Sequence, residues 1–222
     1  MQKMLHEGVM PRLRRWLRST GITTVLLAVS PVPVANAQII PPPASVDWRQ
    51  VASRADRDRI RHWREAWTAG LARAAISHQP EIDAQGLLFN PDRVLGAAIP
   101  PFGRYRCRIF KLGAKGSAMA EFTAYPAVDC QIIRSANITV FRLLQGQYRP
   151  VGALFSARPD RAYFLGALIL GDETRPMRYG RDGGRDVAGV VEQIEPRRWR
   201  LVMPYPRFES LIDVIEILPS PE

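Results

Sequence analysis

The sequence predicts a mainly β protein: a small antiparallel β-barrel, a lipocalin-like meander, with one N-terminal α-helix packed on it. Three observations carry this. A helical period near the N-terminus gives way to strict alternation from residue 104 onward. Short alternating segments then follow one another to the C-terminus, separated by Gly-, Pro- and Asp-containing turns. A meander of that length tends to close, because closure removes exposed strand edges. A two-sheet β-sandwich satisfies the same pattern and is the alternative.

Residues 1–37 read as a secretory signal peptide. Lys3, Arg12, Arg14, Arg15 and Arg18 form a basic region, Gly21–Val29 an apolar one, and Ala35-Asn36-Ala37 supplies small residues before a cleavage at Ala37–Gln38. The apolar run is shorter than the roughly 20 residues of a membrane span and is followed by Pro31 and Pro33. Residues 38–46, with Pro41-Pro42-Pro43, read as a stiff extended linker. Residues 47–222 are then one helix-plus-barrel domain, long enough for a proper core.

The whole chain carries 31 basic and 21 acidic residues, a net charge of +10. Removing residues 1–37 takes away five basic residues and one acidic residue, which leaves +6. Only Lys3, Lys111 and Lys115 are lysines. The excess is therefore arginine, which suits carboxylate and phosphate partners but specifies no mechanism.

The helix is expected over 54–78. Ser53 caps it, with Asp56 at capping-box spacing. Ile60, Trp63, Trp67, Leu71 and Ala74 share a face, and Gly70 is a weak spot in it. In 104–109, Arg104, Arg106 and Arg108 alternate with Tyr105, Cys107 and Ile109, which places the two sets on opposite faces. Val128, Cys130 and Ile132 alternate likewise, so both cysteines point inward. An even cysteine count in an exported chain predicts a Cys107–Cys130 disulfide around 22 intervening residues. Further strands are expected at 120–125, 137–144, 150–155, 161–170, 186–194, 197–203 and 211–218. The stretch 208–217 also fits helical spacing through Phe208, Leu211, Ile212 and Ile215, but its β-branched run favours strand.

The familiar catalytic designs are missing. No P-loop, dinucleotide fingerprint or nucleophile elbow occurs, and no cysteine–histidine spacing suggests a zinc site. His62 and His78, the only histidines after residue 37, both fall in or beside the helix. No metal or cofactor is expected. Two polar features are candidate binding sites. Tyr179, Arg181, Asp182, Arg185 and Asp186 lie in a glycine-rich turn, where they suit an anion or else simply bond to their own backbone. Arg104, Arg106 and Arg108 make a positive stripe about 13 Å long, or the solvated face of a strand.

Several separated phrases point to a known family: Gly103-Arg-Tyr-Arg-Cys-Arg-Ile109, Tyr125-Pro-x-x-Asp-Cys130, Phe164-Leu-Gly, Arg185-Asp-Val-Ala-Gly-Val-Val-Glu192 and Pro206-Arg-Phe-Glu-Ser-Leu-Ile-Asp-Val-Ile-Glu216. Over residues 47–218 the chain resembles the exported bacterial family catalogued as domain of unknown function 4893. The resemblance implies a periplasmic or envelope location in a Gram-negative bacterium and brings no catalytic residue. The expected function is a non-enzymatic binding or structural module for a small apolar or anionic envelope ligand or a protein partner. Nucleic acid is not expected, nor is a membrane span after residue 37. The alternative is a carboxylate-based hydrolase using acids such as Asp182, Asp186, Glu192 and Glu209.

Overall fold

The structure is a computed structural model and describes residues 46–221. The signal segment, its Ala37–Gln38 boundary and all but the last residue of the Pro-rich linker lie outside the described residues. Nine strands follow three helices and a 3-10 turn. The strands are β1 (Gly103–Ala114), β2 (Phe122–Ala124), β3 (Val128–Ser135), β4 (Ile138–Leu143), β5 (Tyr148–Arg158), β6 (Arg161–Leu170), β7 (Asp186–Glu195), β8 (Arg198–Pro204) and β9 (Ser210–Pro219). All neighbours are antiparallel in sequence order from β3 to β9, and β9 returns to pair with β1 over residues 105–114. The ring β1-β3-β4-β5-β6-β7-β8-β9 is thus a closed eight-stranded barrel, as the barrel reading of the alternation predicts. The sandwich alternative is overturned by the β1–β9 ladder.

The short β2 is an extra piece on the same edge of β1. Phe110 pairs with Ala124 and Cys107 with Val128. Three residues, Tyr125-Pro126-Ala127, therefore stand opposite two, Arg108 and Ile109. That is a β-bulge, a fitting place for a proline without an N–H.

Alternation sorts the side chains cleanly. Tyr105, Cys107, Cys130, Ile132, Phe141, Phe164, Leu201 and Ile215 fill the barrel interior. The Cys107–Cys130 disulfide is present within that core. Phe110, Leu112, Val190, Val202, Ile212 and Val214 point outward and are covered by helix.

The helical segment differs from a single helix over 54–78. Helix α1 (Trp48–Val51) precedes it, and the expected helix breaks at His62 into α2 (Arg54–Arg61) and α3 (Trp63–Asp83). The break lets two faces bury against different places. Ile60 packs with Trp48 and Leu165, whereas Trp63, Trp67 and Ala74 pack on β1, β8 and β9. The Ser53 cap forms as expected: its Oγ accepts from Asp56 N at 3.1 Å and donates to Asp56 Oδ2 at 2.7 Å. Helix α3 kinks at His78, two residues before Pro80, whose ring cannot continue the regular ladder.

Helix α3 lies along the outer wall. Gly70, expected to be a weak spot, is the point of closest approach: a Cβ there would sit 2.8 Å from Ile212 Cγ2 and 3.1 Å from the Leu112 carbonyl oxygen. After α3, the 3-10 turn Gly86–Phe89 leads into a segment that crosses one end of the barrel. Ala98 enters the interior core, Trp199 Nε1 donates to the Ala97 carbonyl at 2.9 Å, and Tyr105 Oη donates to the Pro101 carbonyl at 2.6 Å. That end is closed by chain, and the other is left open.

Candidate functional site

The inward positions at the open end form a cup. Continuing the inward series of β1 beyond Tyr105 and Cys107 gives Ile109 and Lys111; continuing β8 beyond Trp199 and Leu201 gives Met203. Ile109, Pro150, Leu168, Val187 and Met203 make its apolar wall, and Tyr125, Tyr148 and Phe208 stand at its rim. The enclosed space is about 210 Å³. Tyr148 and Phe208 stack with centroids 5.8 Å apart.

One charged cluster interrupts this surface. Lys111 and Asp213 face each other across β1 and β9, and Lys111 Nζ donates to Asp213 Oδ2 at 2.8 Å. Glu209 Oε2 lies 3.3 Å from the same nitrogen, buried but out of line for a hydrogen bond. Ser210 Oγ donates to Asp213 Oδ1. Glu209 adopts a left-handed backbone, φ 69°, in the turn before β9. The Lys111 ammonium also lies 5.7 Å from the centre of the Tyr148 ring, within cation–π range.

Burial alone would lower the pKa of Lys111, but Asp213 and then Glu209 outweigh it, and the ammonium is held above its ordinary value. Burial raises the pKa of Asp213 despite the opposing pull of Lys111 and Ser210. One shift favours charge and the other opposes it. They are compatible because each answers to its own surroundings: the carboxylates beside Lys111 hold its proton, while the loss of water around Asp213 outweighs the pull of the ammonium.

The turn residues singled out in the sequence come together elsewhere, against α2. Tyr179 Oη accepts from Ser53 N at 3.0 Å and donates to Asp56 Oδ2. Burial, then the Asp56 hydrogen bond, pushes its pKa up to about 12. The Asp186 carboxylate accepts from Gly180 N at 3.0 and 3.2 Å, and Arg59 bridges Asp56 to the Asp186 carbonyl. Asp182 Oδ1 accepts from Gly184 N at 2.8 Å, and Arg185 pairs with Glu173 at 2.5 Å. Arg181 is exposed. Most of this chemistry shapes the turn and ties it to α2.

The arginine stripe divides in the same way. Arg106 pairs with Asp129 at 2.7 Å and donates to the Ala127 carbonyl. Arg108 donates to the Tyr125 carbonyl at 3.2 Å. These two hold the ends of the bulge, while Arg104 is exposed. Of the acids considered for hydrolysis, Glu192 is sealed under the helices with Arg161 and Arg200, and Asp182 and Asp186 belong to the turn. Glu209 alone reaches the cup cluster.

Lys111, Asp213, Tyr148 and Phe208 were not singled out by sequence reasoning. A signal for the first existed: inward alternation from Tyr105 runs to a lysine in a chain almost devoid of them. Among the described residues, no group of three His, Cys, Asp or Glu side chains is placed to hold a metal ion, and no helix is long and apolar enough to cross a membrane.

The fold and site define a class: a disulfide-tied antiparallel barrel closed at one end by its own chain and open at the other into an apolar cup. The family model for Domain of unknown function (DUF4893) matches residues 48–217, and the chain belongs to that family. No curated protein and no solved structure matches.

Proposed function

We propose that this is an exported, non-enzymatic binding module whose cup holds a small, mostly apolar ligand. The observation that carries the reading is the asymmetry of the barrel. Its base is filled by Tyr105, Trp199 and Ala98, whereas its other end keeps about 210 Å³ of apolar-walled space. Eight-stranded barrels have room either for a packed interior or for one small ligand. Here the two outcomes occupy different ends. Export is supported by the basic, apolar and small-residue order of residues 1–37 and by the Cys107–Cys130 bridge, which suits an oxidising compartment.

Native mass spectrometry of protein purified from the periplasm without reductant tests both parts. The expected species begins at Gln38, is lighter than the dithiol by a pair of hydrogens, and carries extra mass that is lost on denaturation. A protein that is always bare, and whose cup residues respond to no apolar probe, would overturn the binding reading. Retention of residues 1–37 would overturn export.

A second reading is a carboxylate-based hydrolase. It is favoured by one observation: Asp213 and Glu209 both contact Lys111 Nζ, so the contacting oxygens lie within about 6 Å of each other, near the spacing used by retaining glycosidases. It ranks second because both Asp213 oxygens already accept from donors, Lys111 and Ser210. Turnover of chromogenic glycosides or esters that disappears in both Asp213→Asn and Glu209→Gln would promote it. No turnover by the native protein would end it.

A further inference from the structure

Building on the cup reading, we infer that the occupant is a small single-headed amphiphile that enters apolar end first and leaves its one polar group, of hydroxyl, carboxyl or amide type, at the mouth. The lining is sorted by depth. Ile109, Val128, Leu168, Val187 and Met203 continue the packed interior of the barrel, so the lower space is walled by hydrocarbon. Tyr125, Gln145 and Gln147 line the same space from the bulge and from the turn between β4 and β5, and all three are exposed.

The Lys111–Asp213 pair is the one charged feature of the lining among the described residues, and it is matched from within. Asp213 accepts from Lys111 Nζ on one oxygen and from Ser210 Oγ on the other. The ammonium also has Glu209 Oε2 at 3.3 Å and the centre of the Tyr148 ring at 5.7 Å, with Phe208 stacked on that ring. A ligand polar group pushed down to this level either breaks one of these contacts or goes without a partner. Both cost more than leaving the group in water. An apolar end loses no hydrogen bond there.

The mouth reverses the balance. A phenol and two carboxamides each donate and accept, and the half-buried Tyr148 brings a second phenol. A head group held at that level keeps part of its water and adds hydrogen bonds to these side chains, directly or through a bridging water. Position along the barrel axis therefore selects the ligand more than the charge of its head does.

Size narrows the class further. A cavity of about 150 Å³ holds a benzene. The cup, at about 210 Å³, takes roughly a six-carbon chain or one ring with a short arm, and not a full acyl chain.

The test compares 1-hexanol with 1,6-hexanediol, which differs only by a hydroxyl at the far end. Each is titrated into the disulfide-bonded chain lacking residues 1–37, with the Met203 methyl resonance as the reporter. The alcohol is expected to shift that resonance saturably, and the diol to bind at least about fivefold more weakly, because its second hydroxyl is buried without a partner. In the hexanol complex, intermolecular nuclear Overhauser effects should join the terminal methyl to Ile109 and Met203, and the protons beside the hydroxyl to the Tyr125 ring. The opposite pattern, or a diol that binds as tightly as the alcohol, would overturn the single-headed, head-outward inference and leave the cup reading standing. If neither probe moves Met203, the cup reading itself falls.

Discussion

Glu192 and Arg200 face each other across β7 and β8 as an ion pair that solvent does not reach, with Arg200 Nη2 2.7 Å from Glu192 Oε2. Arg161 binds the other carboxylate oxygen. Arg200 also donates to the carbonyls of Leu88, Asn90 and Arg93 and lies 4.7 Å from the centre of the Trp67 ring. One guanidinium therefore joins the barrel wall, the 3-10 turn and α3.

Arg200→Met should cost about 3–5 kcal/mol in equilibrium urea unfolding, because Glu192 loses a partner and three carbonyls lose their donor. The double variant Glu192→Gln/Arg200→Met should recover little of that loss, since Glu192 keeps Arg161 in the single variant and Arg161 loses its carboxylate in the double. A single-variant cost under about 1 kcal/mol would mean that the cluster is not what seats the turn.

Gly70→Ala should destabilise by about 1–3 kcal/mol, despite the higher helix propensity of alanine. The added methyl meets Ile212 and the Leu112 carbonyl at less than ordinary contact. Thermal unfolding reads the sign directly: a rise in Tm would show that α3 can lift off the wall freely. Gly113→Ala should be worse, as Gly113 has φ +72° and its Cβ would lie 2.9 Å from Gly70 Cα.

Reduction of Cys107–Cys130 in unfolded protein, followed by refolding, should leave the dithiol less stable by about 3 kcal/mol, the chain-entropy value for a loop of this length. Both cysteines are buried in the barrel core. Reduction of the folded protein should thus be slow without denaturant, and a thiol-quench time course with and without urea checks it.

Tyr179 makes stability depend on alkaline pH. Its folded pKa, about 12, lies above the ordinary value of 10.0. The folded state therefore holds this proton more tightly, so the contribution is complete below pH 10 and is lost as pH rises toward 12. With allowance for partial solvent access, the contribution is on the order of 1 kcal/mol. The stability gap between native protein and Tyr179→Phe should be constant from pH 7 to 9.5 and shrink above 10. A gap that widens there would reverse the assignment.

Much of this architecture is legible along the chain. The alternation of Arg104, Arg106 and Arg108 with Tyr105, Cys107 and Ile109 assigns the faces of β1, and the same alternation at Cys130 brings the two sulfurs to one side. The Ser53–Asp56 box marks the start of α2. These features depend on neighbours a few residues away, and their physics is local. The break at His62 is not legible in that way. Ile60 and Trp63 fit one helical stripe, but they bury against different parts of the barrel, and two separate burials outweigh continuity of the helix.

The cup follows the same division. Period and turn chemistry in the sequence suffice for the strands, their inward faces and the shared side of the two cysteines, because each is set by a repeating local preference, whereas the choice of barrel over sandwich rests on the β1–β9 ladder. Which end of the barrel stays open, where α3 rests, and what Lys111 meets are settled by chain segments far apart in sequence. Lys111 and Asp213 are 102 residues apart, and Arg200 finds the Leu88 carbonyl across 112. A charge has no preferred partner until folding removes water from around it. Only then does the choice between an anion site and a neutralised lysine acquire an energy.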